Sequence, residues 1–336
     1  MDGSEMDEFS LIKRLTSRGK SDPQVKVGIG DDAAVVSIHP RHDLILCCDG
    51  MSEHIHFQRD TMLPREIGYK ALASNLSDIA AMGGIPKFAL VTLSVPPAWS
   101  TKELEEIYEG IFDLAQAFKI SVIGGDTIRT TKDLHLSVTV AGEVEKDKYL
   151  LRSTARPGDK LFITGYLGES AAGLHYLLAH GRKNVGIDDK YYPLVKAHTQ
   201  PFPQLIAGRI LQQTGIHALN DISDGLASES WEIAESSGVS LILYEDQIPI
   251  SPLLETYGKT YGISPLDCIL YGGEDYQLVG TFPSCLEKIL VNQFQQAGFD
   301  LFIVGEVKEG PMKVVLIDRN GNENMIEKRG YNHFSE

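Results

Sequence analysis

The chain has 336 residues, 43% hydrophobic and 8% aromatic, and a formal net charge of −15 at pH 7. That length suits about two domains of roughly 100 to 200 residues each, and an acidic balance with no Lys/Arg cluster to offset it argues against nucleic acid or an anionic membrane as a partner. The apolar stretches, such as Leu161 to Thr164, fall far short of the roughly 18 residues of a membrane span, and the opening MDGSEMDEFSLIKRL lacks the basic-then-apolar start of a signal peptide, so a cytoplasmic protein is expected.

In chain order, the segment GIGDDAAVV (28 to 36) matches G-x-G-x-x-A, but its AAVVSI continuation is β-branched and strand-like rather than helical. Its two aspartates would also repel a pyrophosphate, so a dinucleotide fingerprint is rejected. Strands are expected at 44 to 48, 88 to 95, 120 to 123 and 134 to 144, the last with two-residue alternation that suggests mixed or antiparallel pairing. A helix is expected from Pro64 to Met82, with Leu72, Leu76 and Ile79 in register, stopping at Gly83-Gly84; a second covers about Lys102 to Phe118. The vicinal Cys47 and Cys48 read as strand residues pointing to opposite faces, and with Cys268 and Cys285 they show neither zinc nor disulfide spacing.

Around LLRSTARPGDK (150 to 160) Pro, Gly and charges mark a boundary, giving domains at 1–150 and 151–336. Beyond it the sequence predicts a strand at LFITG and a helix ending at Gly181. Further helices are expected near 203 to 213 and from Gly225 to Ser237, with strands at 239 to 244 and after YGGEDY, then a final helix and strand to about Leu316.

Six aspartates recur beside glycine turns or helix ends: Asp32, Asp49, Asp78, Asp126, Asp221 and Asp224. Each fragment alone equally suits an ordinary turn, a solvated helix face or a helix cap. As a set they place hard oxygen donors repeatedly where a ligand can approach, the means by which proteins hold Mg²⁺ around polyphosphate. In IGGDT, two glycines before Asp126 can present backbone N–H groups to a ligand. In NDISDGL, three acceptors precede one helix, more than a single cap requires. Glu274 and Asp275 follow a glycine pair in YGGEDY. No P-loop, protein-kinase loop or G-x-S-x-G elbow occurs.

The ordered set GIGDDAAVV, DG…HIHF, YKALASNLSDIAAMGG, IGGDT, RSTARPGDKLFITGYLGESAAGL, DISDGL, GGEDYQL and GYNHF resembles the thiamine-monophosphate kinase family, over Phe9 to Phe334. The resemblance implies a two-domain aminoimidazole ribonucleotide synthetase-like fold, with an N-terminal α+β dimerisation domain and a C-terminal α/β domain, and a homodimer. It implies ATP-dependent phosphorylation of thiamine monophosphate to thiamine diphosphate, with several Mg²⁺ ions and ATP as co-substrate. By position it implies Mg²⁺ ligation by Asp32, Asp49, Asp78, Asp126, Asp221 and Asp224. ATP contacts would come from Tyr108, Gly125, Asp126, Arg152 and Ser223, and thiamine phosphate contacts from His56, Glu274 and Tyr331. The related selenophosphate synthetases and hydrogenase-maturation proteins would need a reactive N-terminal or a C-terminal cysteine, and neither is present. One departure stands out: Cys47-Cys48 precede Asp49 where the family commonly has hydroxyl residues.

Overall fold

In the computed structural model, which describes residues 23–27, 35–36 and 38–328, the chain divides into two units. One takes in the chain through Leu76, Pro86–Asp147 and Gly181–Asn184; the other comprises Ser77–Ile85, Lys148–His180 and the chain from Val185 onward. The partition cuts one helix and borrows four residues across the expected boundary region.

The first unit begins with β1 (Val25–Val27) paired antiparallel with β2 (Val35–Val36). A strand returning on β1 is the opposite of the strand-then-helix course that a dinucleotide fold demands. Asp32, within the connecting segment, lies outside the described residues, as do Tyr331 and Phe334. The remaining elements are β3 (His42–Ser52), α1 (Pro64–Ala81), β4 (Ile85–Val95), α2 (Thr101–Ala117), β5 (Ser121–Arg129) and β6 (His135–Glu145). Their four strands form a sheet in the order β3-β6-β4-β5, with β3 and β6 antiparallel and β4 and β5 parallel. This is the mixed pairing expected of an α+β unit.

Helix α1 starts at a proline, where the missing N–H costs nothing, and Glu66 reaches back to accept the Leu63 N–H at 2.9 Å. It ends in a left-handed Gly83, whose N–H and that of Gly84 return to Ala80 and Ile79 carbonyls. Leu72, Leu76 and Ile79 are wholly buried, but so are Lys70, Asn75 and Ser77. The helix therefore has no broad solvated polar face. Helix α2 is fixed by a capping box between Ser100 and Glu103.

Strand β5 corrects the reading of IGGDT as a turn. The strand runs straight through Gly124, Gly125 and Asp126 to Arg129, and pairing shifts from Ala89↔Val122 to Leu90↔Gly124, so Ile123 is a bulge. A Cβ at Gly125 would lie 1.9 Å from the Val91 carbonyl oxygen, so no side chain fits. The glycine pair is read by the neighbouring strand.

The second unit contains β7 (Asp159–Thr164), α3 (Glu169–His180), α4 (Tyr192–Thr199), α5 (Leu205–Thr214), β8 (Ala218–Ile222) and α6 (Leu226–Ser237). It continues with β9 (Ser240–Tyr244), α7 (Pro252–Tyr261), α8 (Pro265–Tyr271), β10 (Gln277–Pro283), α9 (Glu287–Ala297), β11 (Leu301–Lys308), β12 (Lys313–Ile317) and β13 (Glu323–Met325). The sheet order is β13-β12-β9-β11-β7-β10-β8. Only β12 with β9 is parallel among its pairings; the others are antiparallel. The helix-and-sheet layering is as expected, but the pairing is more antiparallel than a run of βα units suggests. Leu161, Ile163, Leu226, Ile233, Leu243 and Val279 are in its core. Helices α4, α7 and α8 add to the elements expected from the sequence.

Candidate active site

In the first unit, Asp49 lies late on β3, and its backbone N–H donates to Asn75 Oδ1 at 3.1 Å. The Asn75 amide in turn donates to the Ala71 carbonyl at 3.0 Å. Burial raises the Asp49 carboxyl above its ordinary range, partly offset by a hydrogen bond with Ser74 and by the nearby His56. A desolvated carboxyl of this kind is stabilised by an added cation. His56 Nδ1 accepts the Ser52 N–H at 3.0 Å, which puts the proton of a neutral imidazole on Nε2. A neutral His56 is thereby a donor at Nε2. Cys47 and Cys48 are free thiols, the first half-buried with Sγ 3.3 Å from the Asn75 carbonyl oxygen and the second exposed.

On β5, Asp126 is exposed and Thr127 half-buried. Tyr108, on α2, is only 4% exposed; burial pushes its hydroxyl up to about 12, against a hydrogen bond with Thr127 that pulls the other way. Its polar end therefore meets Thr127, beside Asp126.

In the second unit the segments DISDG and GGEDY are joined by backbone. Glu274 N–H donates to the Ser223 carbonyl at 2.6 Å and Tyr276 N–H to the Ile222 carbonyl at 2.8 Å. A Cβ at Gly273 would come within 2.6 Å of that Ser223 oxygen, so the close approach requires glycine. Asp221, at the end of β8, is buried and accepts the Ser77 hydroxyl at 2.8 Å. Asp78 is half-buried near the end of α1. Neither Ser223 nor Asp224 caps α6: the cap residue is Gly225, with no side-chain cap bond.

Instead, Glu229 reaches back from within the helix. Its Oε1 accepts the Asp224 N–H at 3.0 Å and lies 3.4 Å from the Ser223 hydroxyl. Burial, aided by the charges of Asp224 and Asp221, pushes this carboxyl up to about 9, and its Oε2 has no hydrogen-bond partner among the described residues. Sequence reasoning misses Glu229, although it closes the same NDISDGLASE signature. Arg152 is exposed and ion-paired with Glu232, which also accepts from the Asn220 amide at 2.9 Å.

Asp275 is buried, and its carboxylate accepts the N–H groups of Gly168 at 2.7 Å and Ser170 at 3.2 Å, at the start of α3. Burial raises it to about 7 despite those two bonds. Glu274, by contrast, keeps its side chain 26% exposed.

Each unit by itself thus gathers part of the expected set: Asp49 with His56 and Asn75 in one, Asp221, Ser223, Asp224 and Glu274 in the other. Among the described residues, no three His, Cys, Asp or Glu side chains converge as a ready-made metal cage. Mg²⁺ at phosphate sites keeps several waters and takes one or two carboxylates plus substrate oxygens, so such a cage is not required.

The description "AIR synthase related protein, N-terminal domain" matches residues 30–144, and the corresponding C-terminal domain matches residues 156–318. The thiamine-monophosphate kinase of Bacillus subtilis (strain 168) is 42% identical over 333 residues, covering 98% of this chain and 100% of its own. The crystal structure of thiamine-monophosphate kinase from Stenotrophomonas maltophilia K279a matches with a TM-score of 0.84 at 33% identity, over 94% of this chain and 98% of that one. AaThiL complexed with AMPPCP and TMP matches with a TM-score of 0.78 at 33% identity, over 99% of each chain. The chain belongs to the thiamine-monophosphate kinase family, within the AIR synthase related proteins.

Proposed function

We propose that this protein transfers the γ-phosphoryl group of ATP to thiamine monophosphate, giving thiamine diphosphate and ADP. The observation that carries this reading is identity over the full length with named thiamine-monophosphate kinases. The relative solved with AMPPCP and TMP supports the pairing of a nucleotide triphosphate with the acceptor.

The acceptor phosphate has a second pKa near 6, so it is largely dianionic at neutral pH and needs no strong general base. The obstacle is bringing two polyanions together in line. The all-oxygen donors Asp49, Asp126, Asp221 and Asp224 fit Mg²⁺ by hardness, and the desolvated Asp49 carboxyl supports a neighbouring cation. Asp78, and Asp32 outside the described residues, complete the proposed ligand set. Bound Mg²⁺ would supply charge neutralisation on the transferring phosphoryl group.

The chain's own groups then position the reactants. Arg152, steadied by Glu232, directs its remaining N–H groups to the triphosphate, and Ser223 offers its hydroxyl. Gly125 leaves the backbone open beside Asp126, and Tyr108 supports that edge through Thr127. His56 donates from Nε2 to the acceptor phosphate. Glu274 accepts from the amino group of the pyrimidine, and Tyr331 stacks on the ring system. Transfer is direct, with no phosphoenzyme.

We also propose a homodimer. Leu44 and Leu46 are exposed at 46% and 65% on one face of β3, and Leu90 of β4 is also exposed. Large apolar residues exposed on one face of β3 support association through that face.

A coupled assay with ATP, Mg²⁺ and thiamine monophosphate, following thiamine diphosphate by chromatography, tests the activity. Stoichiometric ADP and thiamine diphosphate are expected. ADP without the diphosphate, or acceptor binding without ADP, would overturn the reading.

A further inference from the structure

Glu274 and Tyr276, on either side of Asp275, both adopt left-handed backbone, with φ of 66° and 49°. Such conformations are unfavourable for residues with a Cβ and persist where the surroundings over-determine them. The anchors are these: the N–H groups of 274 and 276 are bound to the carbonyls of Ser223 and of Ile222 at the end of β8, and Asp275 is bound to the start of α3. The backbone beneath Glu274 is therefore rigid. Its flexible side chain needs a separate restraint to present one orientation to a ligand.

That restraint is on α4. His198 is 2% exposed, and its Nδ1 lies 3.4 Å from Glu274 Oε2 and 3.2 Å from the hydroxyl of Ser170, itself 1% exposed. An ionised carboxylate can only accept, whereas a serine hydroxyl can do either. The arrangement is favourable when Nδ1 carries a proton, with Glu274 and Ser170 sharing it. Ser170 then fixes the imidazole from one side, through a helix start that Asp275 already holds.

We propose that His198 is a positioning residue, which orients the partly exposed Glu274 carboxylate toward the amino-substituted ring of the acceptor and so sets the acceptor's affinity without touching it. This rests on the kinase reading and on Glu274 as its acceptor contact. An ordered carboxylate saves the rotamer entropy that a loose one loses on binding. Nucleotide binding should be indifferent to the change.

The test uses the full-length protein and its steady-state kinetics, varying each substrate at saturation of the other. His198→Leu should raise KM for thiamine monophosphate about tenfold, with KM for ATP and the melting temperature near wild type. His198→Asn, which keeps an N–H donor near the Nδ1 position, should recover most of the loss. In a Glu274→Gln background His198→Leu should add little. An unchanged KM for thiamine monophosphate, a parallel rise in KM for ATP, or a full multiplicative effect on top of Glu274→Gln would each overturn the proposal. Should the leucine variant not fold, Ser170→Ala carries the comparison: about a threefold rise in KM for thiamine monophosphate alone supports it, and no rise overturns it. A wild-type protein that binds thiamine monophosphate yet makes no diphosphate refutes the kinase reading only. The Kd of thiamine monophosphate in the same variants then decides the role of His198.

Discussion

Asn75 Oδ1 holds the backbone N–H of Asp49 at 3.1 Å, although the two residues are far apart in the chain. A wholly buried helix side chain thus fixes the strand position that carries a proposed metal ligand. Asn75→Leu leaves that part-buried N–H without its partner, at a cost of up to about 1–3 kcal/mol. Urea denaturation should show a loss of this size, and the Mg²⁺ concentration for half-maximal turnover should rise. A lowered stability with unchanged Mg²⁺ activation would reduce Asn75 to a structural residue.

Asp126 is exposed on β5, so its side chain contributes little to folding. Asp126→Asn should lower turnover by about 10²-fold or more while the melting temperature stays within a degree or so of wild type. Near-wild-type kinetics in saturating Mg²⁺ would remove Asp126 from the ligand set.

Asp275 makes a pH prediction. Its carboxyl is raised by burial to about 7 from an ordinary 3.8, so between those values the folded protein holds a proton that the unfolded chain has lost. Stability contributed by this group is full below about pH 4 and declines as pH rises toward 7. Urea midpoints measured from pH 4.5 to 7.5 should therefore fall more steeply in wild type than in Asp275→Asn. Parallel slopes would show that Asp275 ionises normally.

Within the first unit, Arg182 donates to both carboxylate oxygens of Glu66 at 2.7 to 3.0 Å, and both residues are nearly buried. Arg182→Leu strands the Glu66 charge and should cost about 3–5 kcal/mol. Adding Glu66→Gln removes the charge and preserves an acceptor for the Leu63 N–H, so the double variant should recover much of the loss in chemical denaturation. A double variant as unstable as the single one would assign the effect to packing.

For the proposed homodimer, Leu46→Asp puts a charge on the most exposed leucine of β3. Sedimentation should show monomers where wild type is dimeric, with the far-ultraviolet circular dichroism spectrum unchanged. A dimer that survives would direct attention to another face.

Local signals in the chain carry the longer helices and most strands well. In α1, periodic leucines and a terminal glycine pair mark both the buried stripe and the stop. They say nothing of Asn75, because a polar residue on a helix looks alike whether it faces water or a strand. Gly124-Gly125 reads as a turn by composition, and only the neighbouring Val91 carbonyl shows why a strand needs it. The short helices α7 and α8 each begin with a Ser-Pro pair whose serine caps the first turn. That signal is present in the sequence, but it is easily passed over because the helices are brief. The contact of His198 with Glu274 joins segments distant in sequence, and neither segment alone carries a trace of it. Glu229 lies within a recognised signature, yet its reach back to Asp224 depends on Gly225 capping the helix in place of a side chain.

The packing of Gly125 against Val91 has a consequence for reading relatives of this chain. Position 125 is closed to every side chain by the strand beside it, whether or not any nucleotide is ever bound. A descendant that abandoned catalysis would retain this glycine under the demands of folding alone, while the exposed Asp126 next to it would be released to drift. Gly125 is therefore a marker of ancestry, and Asp126 becomes the marker of a working kinase only if it holds the metal proposed for it.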